Sequence, residues 1–136
     1  MKIQAKPQVN AVAPAPSDVA YAHFSSKLMF ESDCWDVHYD VSNDIADFIF
    51  VDVRSPELYR EGHAIGAINI PHGTMTEKRM AEYPADTKFV VYCTGPGCNG
   101  ADKAAIRLSK LGRPVKIMIG GYVTWRDTEK FPIEQG

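Results

Sequence analysis

Long apolar runs are missing from this 136-residue chain. None approaches the roughly 20 residues that a membrane-spanning helix needs. The N-terminus carries one early lysine but no apolar stretch of secretory-signal type, so no membrane partner is expected. An excess of either charge is also missing: 15 Lys and Arg stand against 17 Asp and Glu, a net charge of -2. That balance leaves no basic footprint for nucleic acid. Cysteine is scarce and odd in number, only Cys34, Cys93 and Cys98, a poor basis for a secreted disulfide framework. A cytoplasmic location with reduced thiols is the expectation. Histidine is sparse too. His23, His38 and His72 show no ligand spacing with cysteines or carboxylates, so no metal site is expected.

What is present describes a globular chain. It is 45% hydrophobic and 24% charged, with 6 Phe, 6 Tyr and 2 Trp, enough to fill one core at this length. Residues 1–16 carry three prolines and no periodicity and read as a flexible lead-in to a single domain over 17–136. Ser17 offers an N-cap for a helix to about Phe30, with Ala20, Phe24, Lys27, Leu28 and Met29 on one face. In "CWDVHYDV", Trp35, Val37, Tyr39 and Val41 alternate with polar residues, which suits a half-buried strand near a sheet edge. Residues 47–53, "DFIFVDV", make a strand covered on both faces. Ser55, Pro56 and Gly62 bracket a short helix. "AINIP" is a brief strand. Thr74 and Glu77 have capping-box spacing for a helix near 75–82. "KFVVYC" is the next buried strand. A helix capped by Asn99 follows, with Ala101, Ala104, Ala105, Leu108 and Leu111 on one face and Gly112 and Pro114 at its end. "VKIMI", a Gly-Gly turn and a last short helix complete the chain. Strands and helices alternating at this spacing imply a mostly parallel sheet flanked by helices.

Ligands of open α/β sheets sit outside the carboxyl ends of the strands, and Cys93 occupies such an end. The loop behind it, Thr94, Gly95, Pro96, Gly97, Cys98, Asn99 and Gly100, is glycine-rich, which lets backbone N–H groups turn inward. The helix beyond directs its positive end at the same space. All three features favour negative charge, so Cys93 is expected to be held as a thiolate beside an anion site. A cysteine at a strand end is often plain core. A loop of this length and glycine content favours a nucleophile instead.

The same stretch resembles the rhodanese (sulfurtransferase) family. "VDVRSPELYREGHAIGAINIP" (51–71) is similar to that family's Asp-Val-Arg and Gly-His…Gly-Ala…Pro segments. "VVYC", the loop and "AAIRLSKLG" look like its active-site strand, loop and helix, and "IGGYVTW" (119–125) looks like its Gly-Gly-x-x-x-Trp close. The segments fall in family order over about residues 47–133. The resemblance implies a rhodanese-like three-layer α/β fold with a central, mostly parallel five-stranded sheet. It also implies a sulfurtransferase. Its cysteine, which maps onto Cys93, takes a sulfane sulfur from a small sulfur-containing anion such as thiosulfate, or from a protein persulfide. The resulting persulfide passes to cyanide or a thiol. No metal and no organic cofactor are required. Asp52 and Arg54 lie in the Asp-Val-Arg segment, whose family role is architectural, and a bracing ion pair is expected there. His63 is expected as a hydrogen-bonded structural histidine.

The loop departs from the family in two ways. It is about two residues longer, and the usual basic position falls at Gly100 or nearby, which weakens the case for thiosulfate. Lys103 and Arg107 are substitutes only if they face the site. Counted directly from Cys93, five positions on, Cys98 stands where the family commonly has a basic residue; aligned by the helix, that position is the one near Gly100. Cys98 is either a resolving thiol for Cys93 or a small residue that shapes the loop. Two other functions remain open on the residues: a thiol-dependent redox or oxyanion reductase using the Cys93/Cys98 pair, and a catalytically silent rhodanese module. Phosphatase chemistry is disfavoured, because no arginine stands in the loop. Cys34 is expected as packing, and Trp35 and Trp125 as core or rim aromatics.

Overall fold

The computed structural model describes residues 3–136. Residues 1–2 of the expected lead-in lie outside the described residues; the rest of it is exposed, with a 3-10 turn at Val9–Ala11. Helix α1 (Ser17–Phe30) follows, then β1 (Glu31–Ser32), α2 (Cys34–Ser42), β2 (Ile49–Asp52), α3 (Pro56–Glu61), β3 (His63–Ala64) and β4 (Ile68–Asn69). A 3-10 turn at His72–Thr74 leads to α4 (Glu77–Met80), β5 (Phe89–Tyr92), α5 (Gly100–Lys110), β6 (Val115–Met118), α6 (Gly121–Val123) and β7 (Ile133–Glu134). Five strands form one sheet in the order β1-β6-β5-β2-β4, every pairing parallel. Strands β3 and β7 pair antiparallel beside it. The α/β fold with a central five-stranded sheet is as the sequence implied.

Strand alternation divides the core into two layers. Val51, Val53, Phe89, Val91 and Cys93 face α5, where Ala101, Ala104 and Leu108 are buried. The two alanines let the helix backbone approach the sheet closely. Phe50, Val90 and Tyr92 face the other side, against Cys34 and Val37 of α2 and against Tyr122 and Trp125. Cys93 therefore continues the α5-facing row of β5 by one step.

Several local expectations are corrected. Residues 35–41 are helical, not a strand. Asp33 caps α2 by accepting from the Asp36 N–H at 2.8 Å, and Cys34, Val37 and Val41, at helical spacing, pack towards the sheet. Trp35 and Tyr39, one turn apart, stack outside at 5.5 Å. Their period-two alternation arises because positions 35 and 39 lie on the outer face of a helix whose inner face holds positions 37 and 41. The edge strand is instead the two-residue β1, which has no apolar signature of its own. Ser17 is the first residue of α1 rather than its cap, which is Pro16. No residue of α1 is buried, and its expected apolar face is open, with Phe24 and Leu28 64% and 72% exposed. Helix α4 starts later than the capping box implied. Thr76 caps it by accepting from the Arg79 N–H at 3.2 Å, while the Thr74 hydroxyl donates to the Pro71 carbonyl.

Cys34 is 2% exposed, and its Sγ donates to the Ile119 and Gly121 carbonyls. Burial, then the nearby Glu129 and Asp33 charges, push its thiol up to about 11 from 9.0. The folded state thus holds this proton more tightly than the unfolded chain does. Its contribution to stability is fully present below pH 9 and is lost as pH rises towards about 11. With Cys93 and Cys98 oxidised, iodoacetamide at pH 8 is expected to leave the native protein unlabelled and to label the urea-unfolded protein once, read by intact mass. Fast native labelling of Cys34 would contradict this placement.

Candidate active site

The sulfur of Cys93 is placed by three elements. Strand β5 carries the residue to the carboxyl end of the sheet, where it is 7% exposed. Residues 94–99 then turn back, and the Cys98 N–H donates to the Gly95 carbonyl at 3.0 Å. Helix α5 opens at Gly100, directly against the sulfur: a β-carbon on Gly100 would lie 2.7 Å from Cys93 Sγ and 3.5 Å from Cys98 Sγ. The Gly100 N–H donates to Cys98 Sγ at 3.5 Å. Both sulfurs therefore lie at the positive end of an 11-residue helix, where negative charge is stabilised. The two cysteines are joined as a disulfide, with Cα atoms 6.4 Å apart, inside the usual range for a bridge.

The strand end is clamped from behind by the segment after β6. The Tyr122 N–H donates to the Cys93 carbonyl and the Val123 N–H to the Thr94 carbonyl, both at 2.9 Å. Gly121 makes that approach possible. Its φ is +67°, and a β-carbon there would meet the Cys93 carbonyl at 2.7 Å and the Gly95 nitrogen at 2.8 Å.

Between loop and sheet lies a cleft of about 240 Å³ whose lining includes Cys93, Cys98, Glu31, Asp102, Gly120 and Gly121. Among the described residues that line it, none is lysine or arginine. Lys103 and Arg107 are exposed and lie outside that lining. Asn99 holds the N-cap position of α5, but its side chain makes no capping bond. Thr94, Pro96 and Gly97 form the outer part of the loop, and nothing stands within 4 Å of where a β-carbon of Gly97 would be. Among the described residues no group of three or more His, Cys, Asp or Glu is arranged to hold a metal ion.

The residues expected to brace the site sit on the opposite face of the sheet. Asp52 and Arg54 form a buried pair, Nη2 to Oδ2 at 2.7 Å. The Arg54 Nη2 also donates to the Gly62 carbonyl at 2.6 Å, and the Arg54 backbone N–H donates to Asp52 Oδ1. Burial opposes the guanidinium charge, but the hydrogen bonds and charge of Asp52 outweigh it and raise the Arg54 pKa. Tyr92 stands beside Asp52 in the β2–β5 register, and its hydroxyl donates to Asp52 Oδ2 at 2.8 Å. Burial first, then the Asp52 charge, push that phenol far above its ordinary value. The Arg54 guanidinium lies 4.3 Å from the centre of the Tyr122 ring. The network thus connects to the residue whose N–H holds the Cys93 carbonyl. His63 is apart from the sulfur chemistry. Its ring stacks on Tyr59 at 3.6 Å, and Nδ1 donates to the Tyr59 carbonyl at 2.8 Å.

Tyr92, Tyr122, Glu31 and Asp102 were not singled out from the sequence as parts of this site. Tyr92 had a usable signal, a hydroxyl one residue before the nucleophile in a buried strand, and such a group needs a partner. Asp102 had one too, its place in the first turn of the helix behind the loop; Glu31 had none, because only the fold brings β1 beside the loop.

The chain is similar to several known proteins. It is 40% identical over 86 residues to an HTH-type transcriptional regulator of Mycobacterium tuberculosis, a match covering 63% of this chain and 37% of that protein. It is 33% identical over 91 residues to thiosulfate sulfurtransferase 16, chloroplastic, of Arabidopsis thaliana, covering 60% of this chain and 76% of the relative. The chain thus spans little more than a third of the regulator's length. A solved structure from Bacillus halodurans superposes with a TM-score of 0.84 at 38% identity, covering 88% of this chain and 87% of that one. The family model described as the rhodanese-like domain matches residues 38–128, which contain the parallel sheet from β2 onward, the cysteine loop and the Gly-Gly segment. This chain belongs to the rhodanese-like domain family.

Proposed function

We propose that this protein is a sulfurtransferase in which Cys93 takes a sulfane sulfur from a donor and carries it as a persulfide. The observation that supports this most is the seat of the sulfur, at a strand end against the first residue of α5 and open to a cleft. A thiolate there attacks the outer sulfur of the donor and expels its sulfite or sulfinate. The helix terminus stabilises the anionic persulfide. A relative that is a thiosulfate sulfurtransferase adds weight. The acceptor is a thiol, or cyanide in an assay, and one domain over 17–136, preceded by the lead-in 1–16, carries the chemistry without metal or organic cofactor. A cytoplasmic setting suits a cysteine that must return to the thiol between turnovers.

Donor preference follows from the cleft. Glu31 and Asp102 line it and, among the described residues, no Lys or Arg does, so a dianion such as thiosulfate meets like charge. A thiosulfonate monoanion or a protein persulfide is the better donor. A second reading, thiol-based redox work, has one observation in its favour, the Cys93–Cys98 disulfide. The deciding experiment mixes reduced protein with a thiosulfonate, and separately with thiosulfate, and measures the sulfinate or sulfite released in a single turnover. Release stoichiometric with protein is expected, faster for the thiosulfonate and abolished in Cys93→Ser. No release from either donor would leave the redox reading standing alone.

A further inference from the structure

We propose that Cys98 resolves the Cys93 persulfide by displacing hydrosulfide, which makes the protein a dithiol-dependent reductase of sulfane sulfur. The proposal rests on the sulfurtransferase reading and adds the fate of the sulfur. Three observations support it. The two sulfurs are within bonding reach without rearrangement of the chain, since the disulfide is formed between them. The loop is folded for that contact by the Cys98 N–H bond to the Gly95 carbonyl. The Gly100 N–H donates to Cys98 Sγ, so the attacking sulfur is also held at the α5 terminus, where its thiolate is stabilised.

The steps balance as follows. The Cys93 thiolate attacks the outer sulfur of a thiosulfonate, forming a persulfide and releasing sulfinate. The Cys98 thiolate then attacks the inner sulfur, Cys93 Sγ. The outer sulfur, formed as the persulfide anion, takes a proton from water as its bond to Cys93 Sγ breaks, and leaves with the bonding pair as hydrosulfide. The transferred sulfur has gained two electrons, and the two cysteine thiolates have supplied them by becoming a disulfide. An external dithiol, of the dithiothreitol or thioredoxin class, returns both cysteines to thiols and is itself oxidised to a disulfide. Exposure sets its direction of attack. Cys98 is exposed and Cys93 is buried, so the reductant meets the Cys98 sulfur, and Cys93 leaves as the thiolate that starts the next turnover. An internal thiol in position also outcompetes a dissolved one.

The test uses the full chain, reduced and then freed of all small thiols, mixed with benzenethiosulfonate. Hydrosulfide and intact mass are followed together. Wild type is expected to release one hydrosulfide per chain and to end two hydrogens lighter, with no sulfur retained. Cys98→Ser and Cys98→Ala are expected to gain one sulfur, to release hydrosulfide at least ~10²-fold more slowly, and to pass that sulfur to added cyanide. A wild type that keeps the added sulfur as long as the Cys98 variants do, without hydrosulfide, would overturn the proposal and leave the transferase reading intact. Failure of every form to take sulfur or release sulfinate would sink both. The wild-type result does not depend on either variant folding.

Discussion

Gly100→Ala is expected to slow sulfur uptake at Cys93 by about 10²-fold while the protein stays folded. The new methyl group would sit 2.7 Å from Cys93 Sγ and 3.5 Å from Cys98 Sγ, closer to the first than van der Waals contact allows. One of three things must give: the Cys93 rotamer, the start of α5, or the end of β5. The strand is held by its register with β2 and β6 and by the Tyr122 clamp, so the sulfur or the helix start moves. A displacement near 1 Å is enough for the stated loss. The stability cost should stay below the margin that keeps the domain folded. Overpacking destabilises by roughly 1–3 kcal/mol, and alanine in place of glycine in a helix returns up to about 1 kcal/mol. Stopped-flow release of sulfinate gives the rate, and thermal unfolding gives the stability. Gly97→Ala tests the specificity of the argument: it lies in the same loop, with nothing within 4 Å of its β-carbon position, and should lose far less. Equal losses in the two variants would mean that loop flexibility, rather than contact with the sulfur, governs the rate. The same geometry bears on the basic residue that the family resemblance implies near Gly100. A basic side chain at position 100 has no room beside this sulfur.

How much of this was legible in the sequence varied with the range of the interaction. Residues 89–93 were readable because a strand covered on both faces is a continuous apolar run, and its alternation carries on into Cys93. The α5 face was readable from the spacing of Ala101, Ala104 and Leu108. Residues 31–42 were not. Glu31 and Ser32 form an edge strand through main-chain bonds to β6, which leave no side-chain pattern. The alternation at 35–41 matched a strand only because apolar residues occupy both faces of α2. Asp33, as a cap, carried the contrary signal. The site divides in the same way. Cys93 and the glycine loop are consecutive in the chain and were found. The pairing of Cys93 with Cys98 is one of two roles that the sequence leaves open for Cys98, and the structure joins the two as a disulfide; Glu31 in the cleft and the Tyr122 clamp depend on how β1, β6 and the segment after it meet the loop, which spacing alone does not encode.

Arg54→Ala is expected to be the most destabilising single change on the bracing face, by about 3–5 kcal/mol. Asp52 is fully buried and receives three side-chain hydrogen-bond contacts from Arg54, two from Nε and one from Nη2. Truncation leaves its carboxylate with only the Tyr92 hydroxyl and one backbone N–H, and it also removes a donor from the Gly62 carbonyl. A loss of this size is a large part of the ~5–15 kcal/mol that holds a domain folded. At this chain length it should lower the melting temperature by roughly 10 °C or more. The cause is the uncompensated charge rather than the lost bonds. Arg54→Met alone should therefore lose about as much as Arg54→Ala, and adding Asp52→Asn to it should recover much of the stability, since a neutral amide still accepts from Tyr92 and the methionine refills the space over the Tyr122 ring. Urea unfolding of the two single variants and the double variant measures this coupling. Additive losses would refute the charge argument. Activity supplies the second reading: Arg54 packs on Tyr122, whose N–H holds the Cys93 carbonyl at 2.9 Å. A double variant that regains stability but still takes up sulfur slowly would show that the guanidinium also sets the position of the nucleophile, from the opposite side of the sheet.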